Sequence, residues 1–434
     1  MGLYRRKGLV LATVLALTGA GPAAATDGHF LHGVGAINSA MGGAGVAAPA
    51  SLLGAYYLNP AGLLAFDGTR VEFGFEVFRP DRTVASNIPG LGAGSTTSKS
   101  DWVPLPAIGF STRLGNDRVV VGLGATGIGG FGVDYPASTT NPILTPQPNG
   151  FGQVYSNYQL LKITPAVAIA VTPKLWIGGG LDVDWASLAV QPMPTAAPAI
   201  DAGSGTAYYS SAAAADGAFG AGFQLGLLYR FNELVSVGAS YSSPQWFRDF
   251  TFNSTYANPN LASFGTPREI RFGLDVPAVY AAGLGLHPLP ALTIAADARY
   301  VTYESTSGFK DSGFRPDFSV AGFGWKNIWV TAIGGQFEAS DHLTLRAGYN
   351  HSGNPIPGSQ TFFNIPAPAI VQDHVSFGLG YKVTRRCDIS AAYYKAFRNT
   401  QSGPIPNPAL PPGSTITSSL REDSILLQFS FAQK

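Results

Sequence analysis

The run AFGAGFQLGLLYRF, Ala218–Phe231, followed by LVSVGASYSS, Leu234–Ser243, decides how the rest of the chain reads. In the first run Phe219, Ala221, Phe223, Leu225, Leu227, Tyr229 and Phe231 share one face. Gly220, Gly222, Gln224, Gly226 and Arg230 share the other, with Leu228 the one exception. The run from Val375 behaves alike, setting Val375, Phe377, Leu379 and Tyr381 against Ser376, Gly378, Gly380 and Lys382. A period of two marks strands with one apolar side. Asn232-Glu233 is a tight turn between the first two runs, and five more stand out: Gly115-Asn116-Asp117, Thr172-Pro173, Pro288-Leu289-Pro290, Ser340-Asp341 and Thr384-Arg385.

Working outward from these turns gives fourteen runs: 69–79, 104–114, 118–131, 157–171, 174–190, 218–231, 234–245, 269–287, 291–303, 328–338, 342–351, 372–383, 386–397 and 423–432. Each tight turn joins an even-numbered run to the next. The seven other connectors span about 20 to 27 residues rich in Pro, Ser, Asn and Gly. An even count with long loops on one side only is the pattern of an outer-membrane β-barrel, tight turns in the periplasm. A soluble β-sandwich would turn its apolar faces to a core and scatter its loop lengths. Aromatics support the barrel. Trp176, Tyr229, Phe231, Phe337, Tyr381, Phe429 and Phe431 lie near the tight turns or the C-terminus, and Tyr241, Tyr300, Tyr349, Tyr393 and Phe397 at the opposite strand ends. Two aromatic belts suit the two membrane interfaces.

Composition agrees. Of 434 residues only 12% are charged, about half the ~25% of an ordinary soluble protein. The net charge of +1, from 27 basic and 26 acidic residues, offers no field for a polyanion, so nucleic-acid binding is excluded. Cys387 is the single cysteine, and the six histidines form neither H-E-x-x-H nor an i, i+4 pair, so no disulfide framework, metal site or cofactor is expected. Arg5, Arg6 and Lys7, the apolar stretch Gly8–Ala20, and Ala23 and Ala25 read as a signal peptide cleaved near Ala25, before Thr26. That stretch is too short and too broken by Gly and Pro to cross a bilayer as a helix. An exported chain with membrane-like composition and no spanning helix is left with a closed barrel, because lipid tolerates only structures that satisfy every backbone group internally.

The segment His29–Gly68, HFLHGVGAINSAMGGAGVAAPASLLGAYYLNPAGLLAFDG, carries no alternating run. Its core, Met41-Gly42-Gly43-Ala44-Gly45 through Asn59-Pro60-Ala61-Gly62, resembles the N-terminal signature of the FadL/TodX family, and Leu160–Trp185 is similar to that family as well. The resemblance implies a Gram-negative outer-membrane transporter for passive uptake of long-chain fatty acids or hydrocarbons, not an enzyme. It divides the chain into a signal peptide (1–25), an N-terminal hatch inside the lumen (26–68) and a 14-stranded barrel (69–434). It also implies lateral exit beside a kinked strand. The expected partners are hydrophobic small molecules, outer-membrane lipid and lipopolysaccharide, and the expected state is a monomer. Physics supports both features. Fourteen strands fall between barrels filled by their own side chains and those that hold a water channel, so an unplugged bore would leak. Carrying ~15 methylenes through water at about 0.8 kcal/mol each costs on the order of 12 kcal/mol, which favours a relay of apolar pockets.

Several residues stand out as candidates. Asn59, Pro60, Ala61 and Gly62 suit an ordinary turn in isolation, and in this N-terminal context they read as the hatch anchor. Gly122, Gly124, Gly127, Gly129 and Gly130 match G-x-G-x-x-G, yet no helix follows, so a dinucleotide site is rejected. They mark either the strand at the lateral opening or close approach of the plug. Trp246, Phe247, Phe250, Phe252 and Phe264, with loop 191–217, could form an outer hydrophobic groove, the alternative being loop–loop packing. Lumen-side charges follow from the alternation: Glu72, Glu76, Arg113, Lys162, Asp182, Asp184, Arg230, Arg271, Asp275, Asp297, Arg299, Arg346, Lys382 and Asp388. Most should pair with one another or with the plug, while Lys162, Arg271, Arg299 or Arg346 could hold a carboxylate head group. Two other functions compete. A general diffusion porin would need an open polar constriction. A membrane-embedded lipid hydrolase would need a Ser–His pair at the rim, and His287 and His374 lie on unconnected strands.

Overall fold

The computed structural model describes residues 27–115 and 117–433. The expected signal peptide, with its expected cleavage site near Ala25, and Asn116 of the first tight turn lie outside the described residues. Sixteen strands hydrogen-bond in one sheet. Two of them, Gly92–Thr97 and Trp246–Phe247, belong to outer loops. The other fourteen close into an antiparallel barrel: β1 Thr69–Ile88, β2 Val103–Leu114, β3 Val119–Tyr135, β4 Val154–Ala170, β5 Leu175–Gln191, β6 Ala212–Arg230, β7 Val235–Ser242, β8 Val279–Leu289, β9 Leu292–Val301, β10 Ile328–Glu338, β11 Leu343–Ser352, β12 Asp373–Thr384, β13 Cys387–Pro404 and β14 Thr415–Gln433. Closure is made by β1 on β14, from Thr69↔Gln433 to Asn87↔Thr415. The start of β1, the end of β14 and the tight turns thus share one end of the barrel.

Alternation sorts the side chains as the sequence predicts. Phe219, Phe223, Leu225 and Leu227 of β6 and the adjoining Phe231 are exposed on the outside, as are Phe377, Leu379 and Tyr381 of β12. They form the apolar band that a bilayer covers. Leu228, which breaks the pattern, points inward and is 1% exposed.

Two differences from the predicted strands have clear causes. Strands β1, β13 and β14 run past the predicted ends at 79, 397 and before 423, pairing with each other beyond the apolar band. There the outward face carries polar residues such as Asp81, Thr83, Thr417 and Arg421, while Val84, Ile88, Ile416 and Leu420 point inward and are buried, so the outward apolar alternation that marks the other strands is missing. The predicted strand 269–287 is two elements. Pro267–Phe272 pairs with Phe250–Thr255 in a loop hairpin, and only Val279–Leu289 joins the barrel. Gly273 and Pro277 interrupt the ladder between them, as glycine and proline do in strands.

The N-terminal segment fills the lumen. It contains two short helices, α1 Gly35–Ala40 and α2 Leu52–Leu58, and a 3₁₀ turn, Pro60–Ala65, almost all buried. Ser51 caps α2 by accepting from the Gly54 N–H, and Asn59 caps the 3₁₀ turn by accepting from the Ala61 N–H, with Pro60 at its first position.

Candidate functional site

The inner wall is a cast of the hatch. A Cβ built on Gly334 or Gly348 would strike the Met41–Gly42 backbone at 2.2 and 2.1 Å, and one on Gly226 would meet Asn59 Oδ1 at 1.9 Å. Inward-facing glycines therefore trace where the plug backbone runs. Polar wall side chains then satisfy its amides. Glu72 accepts from the Leu52 and Leu53 N–H groups at 2.9 and 3.2 Å, and Arg113 donates to the Leu64 and Phe66 carbonyls. Asp297 accepts from the N–H groups of Gly45 at 2.6 Å and Val46 at 3.0 Å. A buried amide left unpaired costs roughly 1–3 kcal/mol. Asp297→Ala should therefore speed local amide exchange at Gly45 and Val46 by roughly 30-fold, the equivalent of ~2 kcal/mol. Unchanged protection by exchange mass spectrometry would contradict this anchoring.

Above the hatch lies an inner pocket with about 640 Å³ of space free of protein atoms, part of it open to solvent. Phe30 and Leu58 of the hatch and Ile128, Val279, Val301 and Val330 of the wall give it an apolar lining. Its polar side is made by Asp27, Lys162, Ser240, Ser242, Gln245 and Arg299. Arg299 pairs with Asp27 at 2.9 Å, and Lys162 stands 3.9 Å from Asp182, all four side chains being buried. Burial lifts the Asp27 carboxyl to about 6 although Arg299 opposes the shift, so it is ionised at pH 8. His29, beside it, is pushed by burial down to about 3 and stays neutral. Its ring Nδ1 lies 2.9 Å from the Tyr303 hydroxyl.

A lid of packed aromatics, including Tyr158, Phe250, Tyr303, Phe309 and Trp325, covers this level. Trp325 packs tilted against Phe309, ring centroids 4.7 Å apart, and donates its indole N–H to Asn364 Oδ1 at 2.6 Å. Outside it the loops form a broad groove of about 1770 Å³ that is open to solvent, lined by Leu91, Phe151, Tyr209, Phe314, Ile405 and Leu410. A smaller apolar pocket continues inward from it past Phe362, Phe363 and Ile365.

The wall has a notch. Strands β2 and β3 pair from Leu114↔Val119 only as far as Ala107↔Thr126. Beyond that β2 follows β1 to Val103↔Phe78, whereas β3 follows β4 to Tyr135↔Val154, with a register shift between Gly127 and Gly129. Pro104 and Pro106 withhold two backbone donors from this end of β2. The hatch supplies the missing partner. The Leu31 N–H donates to the Ile128 carbonyl at 2.9 Å, and the Gly130 N–H to the His29 carbonyl at 2.8 Å. Leu31, Val34, Leu105, Pro106 and Gly127 enclose a small pocket there.

A family model described as outer membrane protein transport protein (OMPP1/FadL/TodX) matches residues 16–427. The chain belongs to the OMPP1/FadL/TodX family. Its fold is that of the Pseudomonas putida toluene transporter TodX, with a TM-score of 0.71 at 21% identity, covering 93% of this chain and 99% of that one. A Pseudomonas aeruginosa FadL homologue gives 0.71 at 16% identity, covering 93% and 99%. The Ralstonia pickettii toluene transporter TbuX gives 0.64 at 21%, covering 92% and 99%. A comparison with curated protein sequences gives no match.

In this FadL/TodX barrel the residues singled out from sequence fall into four groups. Asn59 donates to the Val46 carbonyl at 2.8 Å and the Leu227 carbonyl at 3.1 Å, while Pro60 and Ala61 press on Gly226 and Gly178 and Gly62 abuts Pro49. The β3 glycines divide. Gly122 and Gly124 make room for Tyr56, whose hydroxyl donates to the Phe110 carbonyl at 2.6 Å, and Gly127, Gly129 and Gly130 border the notch. Lys162 and Arg299 meet at the inner pocket, but Arg271 sits on the loop hairpin in an exposed pair with Glu269, and Arg346 binds Gln336 far along β11. The loop aromatics do not line one groove. Phe250 and Phe252 face inward among Ile270 and Leu274, Phe247 packs on Gly220, and Trp246 and Phe264 are 55% and 57% exposed. Alternation along the hairpin strand turns two of the five into the core. The groove instead uses aromatics of the Pro-rich loops 136–153, 192–211 and 302–327. Phe151 and Phe314 are loop aromatics of the same kind as Trp246 and Phe264, and their own sequence context does not set them apart. His287 touches Thr293 near a tight turn, while His374 is buried against His32, so the two do not converge.

Proposed function

We propose that this protein takes up hydrophobic compounds passively across a Gram-negative outer membrane, binding them in the inner pocket and releasing them sideways through the notch between β2 and β3. The observation that carries the reading is the stretch of wall at Gly127–Gly130 that parts from β2 and bonds instead to the hatch at His29 and Leu31, with apolar hatch residues behind it and not solvent. A molecule leaving there enters lipid without crossing water, which spares it the ~0.8 kcal/mol per methylene that a polar exit would cost. The solved relatives include transporters of toluene, and the two apolar pockets in series suit such cargo. In this reading the chain is a channel and not a catalyst, residues 26–68 act as the hatch anchored by Asn59–Gly62, and a leader cleaved near Ala25 directs export. The barrel works as a monomer seated in lipid and lipopolysaccharide.

Uptake of labelled toluene and of a long-chain fatty acid is measured in Gram-negative cells lacking their own such channel, with and without this gene. Uptake of at least one apolar compound should rise, and that of a disaccharide should not. No gain for any apolar compound tested rejects the reading, and gain for the disaccharide supports a porin.

A further inference from the structure

The inner pocket has a cation that is ion-paired at long range yet donates no hydrogen bond among the described residues. Lys162 is 5% exposed and lines the pocket, yet among the described residues its ammonium donates to no acceptor, Asp182 being 3.9 Å away. An ammonium has three donors and no acceptor, and a buried one without a hydrogen bond is costly. It therefore asks for an acceptor from the occupant. The charge balance decides what kind. Arg299 is neutralised by Asp27 at 2.9 Å, and Lys162 faces Asp182, with Asp184 directly across the β4–β5 ladder. Asp182 is held in place as an acceptor of Thr164 Oγ1 at 2.7 Å and Gln245 Nε2 at 3.3 Å. Two cations thus meet at least two fixed carboxylates before any ligand arrives, so the pocket offers directed donors and no net positive charge. A carboxylate entering it would gain from Lys162 and Arg299 but be opposed by Asp27 and Asp182, so it meets no net attraction to offset the loss of its hydration.

We infer that the pocket selects uncharged amphipaths, an apolar body bearing one ketone, ester, phenol or alcohol oxygen that accepts from Lys162, over carboxylates of the same skeleton. The hydroxyl of Ser242 shares the polar side of the pocket, and the branched side chains of Val279, Val301 and Val330 face the apolar body. This rests on the transport reading and sharpens it, since the same pocket then discriminates by head group.

The test uses the full mature protein in lipid nanodiscs at pH 8, with calorimetric binding of octane, octan-2-one and octanoate. Octan-2-one should bind at least about tenfold tighter than octanoate, a difference of ~1.4 kcal/mol. Lys162→Met should erase the advantage of the ketone over octane, with heat-modifiable gel migration reporting that the variant is folded. Asp182→Asn should raise octanoate binding by roughly tenfold. Octanoate binding as tightly as the ketone to the unaltered protein overturns the inference, as does a ketone advantage that survives in Lys162→Met. Either result leaves the transport reading standing if octane binds, whereas failure of all three compounds to bind rejects that reading too.

Discussion

Gly127→Trp should stop uptake of apolar compounds while leaving the barrel folded. A Cβ at Gly127 would meet only Leu105 Cδ2 at 3.7 Å and the Pro106 carbonyl at 4.0 Å, both ordinary contacts, and the residue does not adopt a positive φ. An indole can thus be added where β2 and β3 part, and it would occupy the space between Leu105, Pro106 and the hatch residue Leu31. With the notch filled, the ligand must leave through polar surroundings. For eight methylenes at about 0.8 kcal/mol each the added barrier is ~6 kcal/mol, so the rate should fall by roughly 10⁴-fold. Gly127→Ala, too small to fill the space, should stay near the unaltered rate. Whole-cell uptake decides it, with heat-modifiable gel migration reporting the folded barrel. Full uptake through a folded Gly127→Trp barrel would mean that cargo does not leave beside β3.

Gly226→Val is expected to free the plug and open the bore to ions. The new Cβ would lie 1.9 Å from Asn59 Oδ1 and 2.9 Å from Pro60 Cδ, so the 3₁₀ turn must leave the wall. Asn59 then loses its bonds to the Val46 and Leu227 carbonyls and its cap on Ala61. Unsatisfied buried groups at roughly 1–3 kcal/mol each make this a loss on the order of 3–5 kcal/mol for the hatch. The strand itself should tolerate the change, because valine favours extended backbone. In planar bilayers the unaltered protein should pass almost no current, since the segment from Asp27 to Phe66 is nearly all buried inside the closed sheet. The variant should show steady ion steps and faster protease cleavage within residues 41–66. A silent bilayer with unchanged cleavage would show that the Asn-Pro-Ala turn does not hold the hatch in place.

The barrel was legible in the chain because its cause is local. Lipid outside and a plug inside impose a period of two on strands such as Ala212–Arg230 and Asp373–Thr384, and each tight turn declares itself by Gly, Asn, Asp or Pro. The inward glycines were legible as a row, though not as a mould. Which hatch atom each one admits depends on contacts between residues far apart in sequence, such as Gly348 with Gly42 or Gly226 with Asn59. The same limit explains the loop aromatics. Exposure of Phe250 or Phe151 is set by which neighbouring loop covers it, and no spacing within one loop encodes that. Lys162 and Arg299 could be placed on the lumen side by parity alone, whereas Arg271 could not, because a glycine and a proline moved its strand out of the barrel. Sequence by itself therefore determined the sheet, its fourteen members and the sidedness of its loops, all consequences of patterning along one strand at a time, while the inner segment was legible only through a family resemblance. Only the tertiary structure decided where the wall parts, which two cations share a pocket and how acids balance them, because those are properties of side chains brought together across the lumen by closure of the sheet.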